Sequence, residues 1–324
     1  MTYVDLMRLA NGYAESKTLL IATDVGLFTA LGNKPRRAGE LARICRTTRE
    51  GISLLANALV GLNLLTVRNG LYRNTAITRT FLDARSPRAV TNLLWLLTHH
   101  WSDWTETARV IRRGRVGWTP ITTTTEFRRR FALAMHERSR VLAPLTISTI
   151  RLPNRPVRLL DLGGGPGSYS IALAERYQKL TGFIVDQSVS VARSLIRMAR
   201  LQHRLVARSG DVFAAKLGQG YDAVLVGNLL HDFNEVDNRR LLRRVREALT
   251  PGGKVFIVEF FLDASLTKPA EASVFSLLMY KFTPGGRSYG WHEVEGWLND
   301  LGFGRFRRRV IRGSIGTLEA TRLK

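Results

Sequence analysis

Asp161-Leu162-Gly163-Gly164-Gly165-Pro166-Gly167-Ser168-Tyr169 is the stretch whose reading decides the fold. A mostly apolar stretch of strand length, Val157 to Leu162, leads into it and reads as a buried strand, and a helix is expected after it over Ser168 to Tyr177. Glycines at such a strand-to-helix turn let the backbone bend sharply and let a ligand touch it with no Cβ in the way. The amides of the first helical turn then face an anionic group. Outward from this point strands and helices alternate. Strands are expected over Leu180 to Val185, Leu205 to Arg208, Tyr221 to Val226 and Lys254 to Phe260, with helices over Ser188 to Ala199 and Val236 to Leu249. Pro251-Gly252-Gly253 reads as the turn into the last of these strands. Arg305 to Leu323 reads as a closing hairpin turning at Gly313-Ser314-Ile315-Gly316. The pattern predicts an α/β fold with a doubly wound, largely parallel sheet.

Ligands bind such sheets at the C-terminal strand ends, so residues there are the candidates. A dinucleotide turn reads G-x-G-x-x-G or A; here the glycines fall at Gly163, Gly165 and Gly167, a G-x-G-x-G form that fits the amino-acid carboxylate of S-adenosylmethionine. Asp161 opens the motif. Asp186 ends the next strand, about twenty residues on, where a carboxylate accepts from both ribose hydroxyls; the alternative is a strand-end cap for the following helix. In Gly210-Asp211-Val212-Phe213, Asp211 suits an adenine amino group and Phe213 the ring face, the alternative being a turn with a core Phe. Asn228-Leu229-Leu230-His231-Asp232-Phe233 follows a strand and precedes a helix, which puts Asn228 beside the cofactor and His231 at the same edge. Histidine, with an ordinary pKa of about 6.5, is suited to taking a phenol proton near neutral pH.

The first 105 residues read differently. Leu6, Leu9, Ala10, Tyr13 and Ala14 recur at helical spacing, Gly26 marks a helix end, and Thr48 is a plausible N-cap. Leu64 to Tyr72 reads as a hairpin turning at Asn69-Gly70. Short helices followed by a hairpin make a winged-helix-like pattern. Helices are expected again over Val90 to Thr105 and Phe127 to Ile150, around a Gly-, Thr- and Arg-rich loop, 112–125. Two prolines in Leu152-Pro153-Asn154-Arg155-Pro156 make a stiff linker.

With 324 residues and 45% apolar content the chain can build two cores. Its single cysteine, Cys45, excludes an internal disulfide framework and a multi-cysteine metal site, and no metal is expected. The first ten residues carry Asp5 and Arg8, and no apolar stretch approaches the length of a membrane span, so a cytoplasmic protein without membrane attachment is expected. The net charge of +23 comes from 41 arginines against 8 lysines spread along the chain, a bias that fits base composition better than a polyanion site.

Taken together and in this order, Asp161-Leu162-Gly163-Gly164-Gly165, Gly210-Asp211-Val212-Phe213, Leu230-His231-Asp232, Leu249-Thr250-Pro251-Gly252-Gly253 and Pro284-Gly285-Gly286 resemble the small-molecule O-methyltransferases of the plant caffeic-acid and bacterial polyketide type. The resemblance implies a class I methyltransferase Rossmann-like sheet with a mainly helical, winged-helix-like N-terminal domain. It implies a dimerisation domain over 1–105, a helical connector over 106–152 and a catalytic domain binding S-adenosyl-L-methionine over 153–324. It also implies that His231 is the general base, oriented by Glu259, that Met279, Tyr280 and Thr283 contact a small aromatic or polyketide-like acceptor, and that the N-terminal helices form a homodimer. Gly227 and Ser288 replace a lysine and an acid usual in plant members, which fits bacterial relatives better. Carbon or nitrogen methylation is the alternative on the same fold. A DNA-binding regulator is the other, disfavoured because Thr48 to Leu59 offers few side chains able to read bases.

Overall fold

The computed structural model describes residues 1–115 and 124–324, and the chain divides into two compact units, 1–102 and 103–324. The first unit opens with α1 (Tyr3–Asp24), α2 (Leu27–Leu31), α3 (Ala38–Cys45) and α4 (Arg49–Gly61). The hairpin β1 (Leu65–Arg68) and β2 (Leu71–Asn74) and the short α5 (Ala76–Phe81) follow. Local chemistry accounts for the boundaries. α1 stops where Gly26 takes a left-handed φ of 73°, and the Thr48 hydroxyl caps α4 by accepting from the Gly51 amide. Asn69 and Gly70, both left-handed, make the two-residue turn that suits strand twist. Tyr72 bridges back to Arg36. Leu27, Phe28, Leu41, Ile52 and Leu59 form the core of this unit, whereas Tyr3, Val4, Leu6, Leu9 and Tyr13 on α1 are exposed.

The long helix α6 (Thr91–Arg113) carries the chain into the second unit. Most of the expected loop over 112–125 lies outside the described residues. After α7 (Thr125–Thr149) come β3 (Val157–Leu162), α8 (Ser168–Arg176), β4 (Leu180–Asp186), α9 (Ser190–Met198), β5 (Leu205–Ser209) and β6 (Tyr221–Gly227). A 3₁₀ turn (Leu230–Asp232), α10 (Glu235–Ala248), β7 (Leu249–Phe260), α11 (Ala270–Phe282), α12 (Trp291–Asp300), β8 (Phe303–Arg312) and β9 (Ile315–Arg322) complete it. The strands form one seven-stranded sheet in the order β5-β4-β3-β6-β7-β9-β8, parallel through β7 and antiparallel in the terminal hairpin. The order reverses between β3 and β6, and there the crevice at the strand ends opens. β3 and β6 are largely buried on both faces, which explains why their sequences are mostly apolar. Ala143 of α7 and the adjoining Ile150 share a core with Val157, Leu159 and Leu173, so α7 packs on the sheet and Leu152 to Pro156 is a short link within this unit.

Two local readings are corrected, and one helix is added. β7 begins at Leu249, not after Pro251-Gly252-Gly253: Leu249 pairs with Tyr221, and the three residues form an irregularity before Lys254 pairs with Ala223. The terminal hairpin turns at Gly313-Ser314 alone, because Ile315 already pairs with Arg312. Sequence periodicity does not single out α12, yet its buried Val294, Trp297 and Leu298 recur three and four apart on the face that meets the core. Arg307 to Arg309 lie on the edge strand β8, where charge deters pairing with another sheet. Among the described residues no helix is long and apolar enough to cross a membrane.

Candidate active site

The turn from β3 to α8 has left-handed φ values at Gly163 (69°), Gly165 (50°) and Gly167 (73°). Close packing explains why side chains are excluded. A Cβ on Gly163 would come within 2.7 Å of the Leu229 side chain, and one on Gly164 within 2.6 Å of the Asp161 carboxyl. A Cβ on Gly165 would meet nothing nearer than an Asp186 oxygen at 3.9 Å, so that face of the turn is open. Asp161 lies beneath the turn, 2% exposed, accepting a 2.6 Å hydrogen bond from the Ser170 hydroxyl. Burial, opposed by that hydrogen bond and reinforced by the Asp186 charge, lifts its pKa to about 7.

Asp186 is tied to the same turn. One oxygen accepts from the Gly165 amide and the other from the Ser188 amide, each at 2.9 Å. Cap and ligand roles are therefore compatible, since a carboxylate has about four acceptor sites and two are used. Burial raises the Asp186 pKa against these two donors. Asp211 is exposed at the end of β5 and accepts from the Phe213 amide at 2.7 Å. Phe213 is half-buried, edge-on to Phe233 at 4.9 Å. Asn228 is left-handed (φ 53°) and donates its amide to Val258.

The 3₁₀ turn holding His231 is fastened from several sides. Glu259, at the end of β7, accepts from the Leu230 amide (2.9 Å) through one oxygen. Its other oxygen accepts from the Phe260 amide (3.1 Å) and contacts His231 Nδ1 (2.8 Å). The fully buried Asn238 donates to the carbonyls of Leu230 and Phe233, and the Tyr289 hydroxyl donates to Phe233. Gly286 lies against the turn so closely that a Cβ there would overlap the His231 carbonyl oxygen, which accounts for the glycines after Pro284. An ionised carboxylate only accepts, so Nδ1 carries the ring proton and Nε2 is left as the basic nitrogen. Burial pulls the imidazole pKa down, but the charges of Glu259 and Asp232 and the Glu259 hydrogen bond outweigh it, and the net shift is upward.

On α11 and at its C-terminal cap the sequence reading named Met279, Tyr280 and Thr283. Met279 is buried, while Tyr280 lies under the Arg115 guanidinium at 4.3 Å. The Thr283 hydroxyl is spent locally, donating to Met279 and accepting from the Gly286 amide. The residue of this helix that meets His231 is Phe275, edge-on at 4.9 Å. Sequence reasoning missed it, although it lies one turn before Met279. Also missed are Arg138 on α7, laid over Phe260, and His136, whose Nδ1 lies 2.9 Å from the Ser168 hydroxyl at the start of α8. No sequence signal marks either, because α7 is rich in polar residues and only the fold shows which of them meet these partners.

The O-methyltransferase domain model matches residues 101–304, and the O-methyltransferase dimerisation domain model matches residues 7–84. The chain belongs to the O-methyltransferase family. The enzyme is 30% identical over 311 residues to 3-hydroxy-5-methyl-1-naphthoate 3-O-methyltransferase of Streptomyces sahachiroi, covering 92% of this chain and 88% of that one. It is 31% identical over 347 residues to acetylserotonin O-methyltransferase of Mus musculus molossinus, covering 98% and 88%. The structure of human N-acetylserotonin methyltransferase in complex with SAM shares the fold, with a TM-score of 0.88 at 23% identity over 99% of this chain and 98% of that one. The enzyme is a methyltransferase, and it carries the dimerisation domain of its family.

Proposed function

We propose that this enzyme methylates a hydroxyl group of a small aromatic or polyketide-type molecule, with His231 taking the hydroxyl proton. The observation that carries this is the buried His231–Glu259 pair, 2.8 Å apart through Nδ1, at the strand-end edge that also holds the glycine turn. The cofactor is S-adenosyl-L-methionine, which supplies an activated methyl group when bound. The residues present fit it. The open side of Gly165 admits a ligand to the backbone, Asp186 keeps acceptor sites for ribose hydroxyls, and Asp211 with Phe213 offers an acceptor and a ring for adenine. The first turn of α8 suits the amino-acid carboxylate. Asp161 shapes the turn from below.

His231 receives the proton at Nε2 as the acceptor oxygen becomes nucleophilic, and Glu259 fixes the tautomer and offsets the imidazolium charge. Phe260 and Phe275 keep water from the ring, and their faces suit an aromatic acceptor. The rest of the rate comes from alignment of the reacting groups. The Streptomyces relatives named for a hydroxynaphthoate and for a tetracenomycin polyketide support this class of acceptor. The exposed apolar face of α1 supports a homodimer built through the N-terminal helices.

The test uses S-adenosylmethionine with a ¹³C-labelled methyl group and a panel of hydroxyaromatics, with product fragmentation to locate the label. Label on oxygen, lost about 10²–10⁴-fold in turnover on His231→Ala with S-adenosylhomocysteine affinity retained, is the expected result. Label on carbon or nitrogen, or full turnover in the variant, overturns the reading.

A further inference from the structure

We propose that Arg138 is a specificity-determining residue that binds a carboxylate on the methyl acceptor, so that the preferred substrates are hydroxyaryl acids. This deepens the preceding reading and rests on it. α7 sets the Arg138 guanidinium 4.8 Å from the Phe260 ring and 5.9 Å from the Phe275 ring. The same two rings, 4.5 Å from each other, flank His231 at 6.4 and 4.9 Å. Cation and base therefore share one aromatic wall. The two legs through Phe275, 5.9 and 4.9 Å, cap the guanidinium-to-imidazole separation at their sum, a span that a one- or two-ring hydroxy acid bridges.

Among the described residues Arg138 has no ionic partner of its own. Among the described residues no carboxylate comes within 4.0 Å of its guanidinium. Glu259, the acid whose charge reaches it, already accepts from the Leu230 amide, the Phe260 amide and His231. Two other arginines of this unit are committed: Arg115 donates to the Thr283 and Gly286 carbonyls, and Arg287 pairs with Glu293. Burial pushes the Arg138 pKa down, the mark of a desolvated cation, yet a guanidinium does not give up its proton in a protein. Such a group is satisfied best by a planar anion that accepts two parallel N–H bonds, and a carboxylate has that geometry. The acceptor and the cofactor's amino-acid end are the two sources of one, and the glycine turn with the start of α8 already serves the latter.

Binding of 3-hydroxybenzoate, 3-hydroxy-2-naphthoate and their methyl esters to the full-length protein saturated with S-adenosylhomocysteine, measured by calorimetry, tests this. At least one acid is expected to bind more tightly than its ester. Arg138→Met should weaken that acid about 10–100-fold, leave the ester unchanged and keep S-adenosylhomocysteine affinity. Arg138→Lys should recover part of the loss, and retained S-adenosylhomocysteine binding shows that both variants fold. The proposal is overturned if no acid outbinds its ester, if Arg138→Met weakens acid and ester alike, or if it weakens S-adenosylhomocysteine instead. Methyl transfer is followed in parallel: acids that bind through Arg138 without being methylated on oxygen defeat the reading of His231 and leave the carboxylate site standing.

Discussion

Replacing Glu259 with glutamine changes one oxygen for an NH₂ group and removes a buried negative charge, and the structure says where both effects go. The carboxylate meets three donors, the Leu230 amide at 2.9 Å, His231 Nδ1 at 2.8 Å and the Phe260 amide at 3.1 Å. An amide cannot serve them all. With its nitrogen toward Leu230 it orphans that backbone N–H; with its nitrogen toward His231 it orphans Phe260 and forces the ring into the tautomer that protonates Nε2. Either way one buried N–H is lost, at about 1–3 kcal/mol. The second arrangement also removes the base, at about 10²–10⁴-fold in turnover. The charge effect has a definite sign. In the wild type the imidazole pKa lies above its ordinary 6.5 because Glu259 and Asp232 outweigh burial. The protonated pair therefore stabilises the fold fully below that ordinary value, and the stabilisation is lost as pH rises through the folded value. In Glu259→Gln burial prevails, so the acidic limb of kcat/KM against pH moves to lower pH and this part of the pH dependence of stability reverses its sign. Labelled methyl transfer from pH 5.5 to 9.5 and thermal melts in the same buffers read both. Unchanged turnover with an unmoved acidic limb refutes the reasoning.

Asp161→Asn should make stability of the cofactor-free protein less dependent on pH. The wild-type acid keeps its proton to about 7 when folded, so stability falls as pH climbs from about 4 to 7, by at most about 4 kcal/mol over roughly three units; parallel melting curves for the two proteins across this range contradict it. Gly163→Ala puts a Cβ at a φ of 69° and 2.7 Å from Leu229, which costs about 1–2 kcal/mol in backbone strain before the contact is counted. Chemical denaturation should detect the loss, with weakened S-adenosylhomocysteine binding beside it; wild-type stability in the variant excludes a requirement for left-handed backbone at this position. Leu6→Asp combined with Leu9→Asp on the exposed face of α1 should halve the mass seen by light scattering without unfolding the second unit, and an unchanged mass counts against association through α1.

The catalytic half of the chain was legible because its signals are local. Glycines at Gly163, Gly165 and Gly167 are needed for left-handed backbone, and β3 and β6 read as mostly apolar stretches because both their faces are largely buried. Asp186 was placed by its position at a strand end, and the structure adds that it ties β4 to the glycine turn through Gly165. What stayed hidden depends on contacts between distant segments. Phe275 and Arg138 meet at Phe260 from helices far apart in sequence, and no periodicity records that meeting. The irregularity at Pro251 to Gly253 escaped notice because those residues also make good turns, and only the pairing of Leu249 with Tyr221 pulls them into a strand.

The contact of Gly286 with the His231 carbonyl has a mechanical consequence. Thr283, the first residue beyond α11, anchors Gly286, and Gly286 in turn braces the peptide that carries the imidazole. The C-terminal end of α11 and the turn that carries His231 are thus a single linkage with no slack for a side chain. A shift of α11 must therefore drag the His231 turn with it, so in the proposed mechanism proton removal waits until that helix has settled back.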